Sequence, residues 1–305
     1  MQRLNDKRIR QIGLAPWMCL ATGFSLLLTG CEEFGGGAKY DARVVVLDAN
    51  HFSSEEGASE SEAGGSTTEA TTADATTGGF GTFAGRLVMQ GSAPSLPLLI
   101  AQGAEVKDKE VCAAVDLPDE RLQVGANGGV SNAFIYLKRA PKGGKDVQTT
   151  AEPLIFDQKN CRFIPHCMIV PTGTTIKVLS DDPIAHNTHN YPKRGTSVNS
   201  GVAPNDREGK LTISYRSAED PVSVKCDYHA WMQAWHLPVD HPYASVTDEN
   251  GNFSIPDLPA GKHEFTVWHE AADGGFITKK LAVTIAGGQT EQMDIEFPTD
   301  KLALN

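Results

Sequence analysis

Cys226, His229 and Met232 stand at Cys-x2-His-x2-Met spacing within Cys-Asp-Tyr-His-Ala-Trp-Met. A thiolate, an imidazole and a thioether are thereby confined to one short turn. Forty residues before Cys226, the stretch Asp181-Asp182-Pro183-Ile184-Ala185-His186-Asn187-Thr188-His189 reads as a loop whose His186 supplies a second imidazole. Soft sulfur with imidazole suits copper, and two histidines, one cysteine and a weak axial methionine form the donor set of copper electron-transfer centres. Zinc also accepts cysteine and histidine. Structural zinc sites usually gather paired cysteines, however, and this cluster has one.

These donors need elements to hold them. Val222, Val224 and Cys226 share one face of an alternating segment, so the thiol is expected to point inward from a strand end. Beyond Phe80 the chain alternates apolar residues with Gly and Pro punctuation and shows no long helical periodicity, an all-β signature. Candidate strands are Gly85 to Gln90, Ala133 to Lys138, Cys167 to Val170, Thr175 to Leu179, Leu211 to Tyr215 and Val222 to Cys226, with turn signals such as Pro171-Thr172-Gly173 between them. Farther on, Val246 to Ile255 reads as strand, turn and strand around Asn250-Gly251. Lys262 to His269, Lys280 to Ile285 and Gln292 to Phe297 complete the series.

With 305 residues, 40% of them hydrophobic, the chain allows two compact domains at most and no membrane bundle. Its net charge of -11, more negative still without the basic leader, argues against nucleic acid. Residues 1–30 have a basic start and an apolar run that ends in Leu28-Thr29-Gly30, followed by Cys31. This resembles a bacterial lipoprotein signal peptide whose box cysteine, Cys31, is lipidated. An ordinary cleaved secretion signal or an uncleaved anchor is the alternative. In each case the folded part is expected outside the cytoplasm, in the periplasm or cell envelope. Within 31–79, Glu32 to Phe52 has no clear assignment beyond one short strand at Val44 to Leu47. Ser53 to Gly79 carries no large apolar side chain and is expected to be a disordered tether.

The stretch from about Pro153 to Val239 resembles a cupredoxin of the amicyanin and plastocyanin type. Its Cys-x2-His-x2-Met loop has the short amicyanin spacing, and His186-Asn187-Thr188-His189 matches the family's His-Asn-x-His stretch. The resemblance implies a Greek-key β-sandwich and one type 1 copper held by His186, Cys226, His229 and Met232, with Asn187 supporting the ligand loop by hydrogen bonding. Tyr243 to Phe297 resembles a carboxypeptidase-regulatory-like sandwich of the transthyretin or immunoglobulin kind, recognisable in Val246 to Phe253 and in Leu258-Pro259-Ala260-Gly261-Lys262-His263. Its first strands are missing just before Tyr243 and are sought upstream, in Gly85 to Val88 and Asn132 to Leu137. The expected domains are thus N-terminal strands at 80–140, a cupredoxin domain at 141–240 and the second sandwich at 241–298, with the copper domain inserted. The whole is similar to secreted copper-domain proteins labelled methylamine-utilisation-like.

Other residues carry weaker signals. His166, His189 and His269 are candidates for a second metal or a proton relay, against ordinary core or surface roles that also suit His236 and His241. Trp231 and Trp235 flank the ligand loop and are candidates for an electron-transfer patch around His229, or for packing. In an oxidising compartment two of Cys112, Cys161 and Cys167 should pair; Cys112 with Cys161 is expected, leaving Cys167 as a buried thiol. The leading function is a membrane-tethered electron carrier, not an enzyme, with a redox protein as partner and no small-molecule substrate. Acidity favours a basic partner. The alternative is a surface binding or structural module in which copper is incidental or absent; a third reading is a copper enzyme using the extra histidines. No Gly-x-Ser-x-Gly, P-loop or His-Glu-x-x-His motif supports hydrolase or nucleotide chemistry.

Overall fold

Alternation becomes strand pairing in the computed structural model, which describes residues 78–149 and 151–304. The leader, the Cys31 lipid box, the Val44 to Leu47 segment and the tether up to residue 77 lie outside the described residues. Strands β1 (Phe80–Gln90) and β2 (Phe134–Leu137) come first. They are followed by β3 (Leu154–Lys159), β4 (Arg162–Ile164), β5 (Cys167–Pro171), β6 (Ile176–Val178) and β7 (His186–Asn190). Next are β8 (Asn199–Val202), β9 (Leu211–Ile213), β10 (Val222–Lys225) and β11 (Gln233–Val239). The last are β12 (Ala244–Val246), β13 (Asn252–Pro259), β14 (Gly261–Trp268), β15 (Phe276–Ile285) and β16 (Thr290–Pro298). One helical turn, α1 (Lys109–Cys112), interrupts the long connection from β1 to β2. The architecture is all-β, as the alternation predicts.

Among the described residues, four sheets make two sandwiches. In one, the sheet β13-β1-β16 faces the sheet β12-β2-β14-β15 across a core that includes Phe83, Ile135, Ile255, Phe265 and Phe297. In the other, β4-β3-β6-β9 faces β5-β11-β10-β7-β8 across Phe156, Phe163, Val170, Ile176 and Val224. β1 pairs with β13 and β16, and β2 pairs with β12 and β14. The chain therefore leaves the first sandwich after β2, builds the second from β3 to β11, and returns at β12.

The two sandwiches meet along a third apolar seam. Phe134, Tyr136, Ala244 and Trp268 on one side pack with Cys167, Ile169, Leu237 and Val239 on the other. Strand alternation explains how. In β2, Ile135 and Leu137 enter their own sandwich's core while Phe134 and Tyr136 face the seam; in β5, Met168 and Val170 turn inward while Cys167 and Ile169 face it. Strands buried on both faces read as continuous apolar runs, which is the pattern of Phe-Ile-Tyr-Leu and Cys-Met-Ile-Val.

One local expectation needs correction. The His186 stretch is not a loop: it is β7, paired with β10 on one side and β8 on the other. Its polar residues disguise a central strand because their partners come from elsewhere in the fold. The strand, turn and strand around Asn250-Gly251 form as expected, the turn being tight, with the Gly251 N–H on the Asp248 carbonyl at 2.9 Å. β12 and β13 lie in opposite sheets, and the turn carries the chain between them. Gly251 adopts φ 79°, and a Cβ there would meet the Leu87 carbonyl oxygen at 2.4 Å, so close approach of β1 demands glycine.

Candidate metal centre

β10 ends at Lys225 and delivers Cys226 to the edge of the second core, on the face shared with Val222 and Val224. The loop that follows is closed by its own backbone. The Cys226 N–H donates to the Met232 carbonyl at 3.2 Å and the Met232 N–H to the His229 carbonyl at 2.9 Å. β7 holds His186 opposite this loop. His186, Cys226, His229 and Met232 are all buried, the two histidines at 0% exposure.

One donor atom from each of His186, Cys226 and His229 lies within 4.8 Å of the others. The two Nδ1 atoms are 3.0 Å apart, and His229 Nδ1 is 3.7 Å from Cys226 Sγ. Each outer nitrogen has a carboxylate. His186 Nε2 lies 2.8 Å from Asp182 Oδ2, and His229 Nε2 lies 2.9 Å from Asp108 Oδ2. A carboxylate fixes the proton on Nε2, so the lone pair of each ring is left on Nδ1. Two such lone pairs and a sulfur aimed at one point repel one another unless a proton or a metal cation stands between them. The donor set therefore fits a metal ion, and its softness fits copper.

Electrostatics follow the same logic. Burial pushes the Cys226 thiol up, but its contacts with His186 and His229 and the backbone N–H groups of Asn187 and Tyr228 outweigh it and bring it down to about 6. The thiolate that a metal needs is thus available near neutral pH. Burial pulls His186 down, while Asp182 and Cys226 push it up, and the balance is upward. Asp182 is held below the usual carboxylate range: burial raises it, and His186 with the N–H groups of Cys161 and Asn160 more than offsets that.

Asn187 braces the ligand loop. Its Oδ1 accepts the Asp227 N–H at 2.5 Å, its Nδ2 donates to Asn199 Oδ1 at 2.7 Å and Asp227 Oδ2 at 3.1 Å, and its own N–H points at Cys226 Sγ at 3.4 Å. His189 belongs to the same rim, with Nδ1 3.1 Å from Asp227 Oδ2 and 2.9 Å from the Tyr191 hydroxyl.

The three-histidine second site does not assemble. His189 lies on this rim; His166 bonds Glu270, and His269 Nε2 bonds the Ser131 carbonyl. Among the described residues, no metal-competent trio includes any of them. The other such trio, Cys161 with Asp182 and His186, uses a cysteine that is disulfide-bonded to Cys112. Cys167 is a buried thiol. Trp231 and Trp235 do not form one exposed patch either. Trp231 packs on the His229 ring at 5.2 Å between centroids, whereas Trp235 faces the other sandwich and donates its indole N–H to Glu270. Alternation decides this, because Trp235 lies on the seam side of β11.

Asp108 and Asp182 escaped the sequence reading. Asp182 stands four residues before His186, an interval that brings two side chains together on a helix but carries no such meaning in the chain leading into β7. Asp108 is 121 residues from His229, and no local signal could have found it.

No family model matches the chain. Rhamnogalacturonate lyase B of Emericella nidulans is 31% identical over 87 residues, covering 27% of this chain and 13% of the lyase. Among solved structures, a Cu-containing nitrite reductase from Thermus scotoductus SA-01 is similar over 33% of this chain and 27% of its own, at 15% identity and TM-score 0.26. A purple cupredoxin from Nitrosopumilus maritimus is similar over 28% of this chain and 99% of its own, at 19% identity and TM-score 0.24. A proline-to-glycine mutant of amicyanin, in its reduced Cu(I) form, is similar over 35% of this chain and 99% of its own, at 11% identity and TM-score 0.25. Such scores are too low to carry an assignment, which rests instead on the ligand geometry above.

Proposed function

We propose that this protein is a cupredoxin-type electron carrier, in which His186, Cys226, His229 and Met232 would hold one type 1 copper. Bound there, copper supplies a one-electron couple between Cu(I) and Cu(II). The chain's own residues do the rest. Asp182 and Asp108 orient the imidazoles, Asn187 and Asp227 brace the loop, and burial keeps the centre dry, so little rearranges when an electron moves. The observation that carries the reading is the convergence of two Nδ1 atoms on one buried thiol, with both Nε2 atoms already engaged. We further propose that the protein is anchored through Cys31 to a membrane facing the periplasm or cell envelope and exchanges electrons with a basic redox protein. The acidic charge of the chain supports that partner.

The test is the visible spectrum after one equivalent of Cu(II), then after a mild reductant. An intense band that reduction bleaches, and that a folded Cys226→Ser protein lacks, is the expected result. A colourless wild-type protein that binds no copper sinks the proposal.

A second reading, a surface binding module, is favoured by one feature. A cleft of about 630 Å³ is lined by Lys138, Arg139, Lys193, Arg194 and Arg216, alongside Glu219, Asp220 and Asp240. Clustered cations on an acidic chain suit an anionic ligand. Saturable, salt-sensitive binding of a polyanion by a protein that takes up no copper would favour this reading over the first.

A further inference from the structure

Residues 99–122, in the connection from β1 to β2, form a strap that lies along the ligand loop. Contacts run in step. Leu99, Ala104 and Val106 of the strap and Trp231 of the ligand loop pack on one small core; the Lys107 ammonium stands 4.9 Å from the Tyr228 ring centroid; and Asp108 Oδ2 bonds His229 Nε2 at 2.9 Å. Beneath it His229 has no exposure, while its neighbour Tyr228 is 45% exposed. The strap has its own small core of Ile100, Ala113 and Leu117, and a backbone bridge between Ile100 and Leu117.

We propose that Asp108 is a positioning residue for the metal centre: it sets the His229 ring and, through the strap that carries it, closes the outer edge of that ring to solvent and to docking partners. This rests on the copper reading above. The anchorage of Asp108 makes the case stronger than a single contact would. Its carbonyl accepts the N–H groups of Val111 and Cys112 at 3.0 and 2.9 Å, which starts α1. Cys112 is then bonded to Cys161. The N–H groups of Asn160 and Cys161 donate to Asp182 at 2.6 and 2.8 Å, and Asp182 holds His186. The two carboxylates that orient the two imidazoles thus share one covalent clamp. An electron-transfer surface centred on His229, which the flanking tryptophans suggest from the sequence, is covered by this device.

The test compares the wild-type protein with Asp108→Gly and Asp108→Asn. Asp108 has φ 53°, a conformation that glycine and asparagine accept without backbone strain, so neither change threatens the fold at that point. One readout needs no metal: carbethoxylation of His229 in the copper-free protein, followed by peptide mass spectrometry. His229 is expected to be shielded in the wild type, to react faster in Asp108→Gly, and to stay shielded in Asp108→Asn, whose amide oxygen still accepts the Nε2–H. The second readout is copper affinity, expected to fall about 10- to 100-fold in Asp108→Gly, the usual loss when a partner of a ligand is removed. An Asp108→Gly protein that keeps both shielding and affinity overturns the proposal. A wild-type protein that shields His229 through Asp108 yet takes up no copper supports the closure and removes only the electron-carrier reading.

Discussion

Trp235 of the inserted sandwich and Trp268 of the outer one meet edge to face, with ring centroids 4.6 Å apart and planes at 61°. Beside them, Glu270 gathers the Trp235 indole N–H at 2.9 Å, the Gln233 amide at 2.9 Å and the His166 imidazole. The loop leaving the metal centre is therefore tied directly to the outer sandwich, since Gln233 follows Met232. The seam couples the two halves in stability and links the outer sandwich to the site.

Glu270 and His166 form the buried charged pair of this seam. Burial pushes the Glu270 carboxyl up, but His166 and Trp235 pull it below the usual range; burial pulls His166 down, but Glu270 and Glu120 raise it. Glu270→Ala leaves a buried imidazole and indole N–H without their acceptor. A loss of about 3–5 kcal/mol is expected, the cost of breaking a buried pair by removing one partner. Urea unfolding of the two proteins at neutral pH measures it, and an unchanged midpoint contradicts the seam's role.

Leu237 faces the seam at 0% exposure. Leu237→Ala is expected to cost about 2–5 kcal/mol from lost burial and an incompletely filled cavity. Calorimetry should show the transition moving as one, because both sandwiches border the hole. Two transitions, with one left in place, would show that the halves unfold independently.

The Cys112–Cys161 bond closes a loop of 49 residues. By chain entropy, replacing both cysteines with alanine should destabilise the fold by about 4 kcal/mol. Comparing denaturant midpoints for the intact and doubly substituted proteins checks this; equal midpoints would mean that the strap adds nothing to global stability.

Two core histidines set an acid response. Burial pulls His236 down to about 3 and His269 down to about 4, from 6.5. Between pH 4 and 6.5 the unfolded chain takes up protons that these rings refuse in the fold. Stability therefore falls as pH falls, by up to about 1.4 kcal/mol per pH unit for each ring. His166 and His186, shifted upward, act with the opposite sign: they lend stability below 6.5 that is lost as pH rises. His236→Phe isolates one term. Its ring stands edge-on to Phe156, a position that phenylalanine can fill, and Tyr215 keeps its bond from Asn190. Relative to the wild type, the variant should gain stability as pH drops from 6.5 to 4; a constant difference across that range would show that His236 does not titrate on unfolding.

What the sequence determined by itself was local. Period-two alternation in Val222-Ser223-Val224-Lys225 defines a strand and sends Cys226 inward, and Cys-x2-His-x2-Met confines three donors to a turn whatever surrounds it. Strand existence was legible in most segments where apolar residues alternate or run together, although β3 and β11 were not among the expected strands. β7 was not, because His-Asn-Thr-His-Asn buries polar side chains whose partners, Asp182, Asn199 and Asp227, belong to other segments. Tertiary structure alone decided which strands pair across the insertion, which face Trp235 presents, and that Asp108 reaches His229. The physical reason is one of range: backbone geometry fixes side-chain direction over a few residues, whereas a contact spanning 121 residues exists only once the sheets have packed.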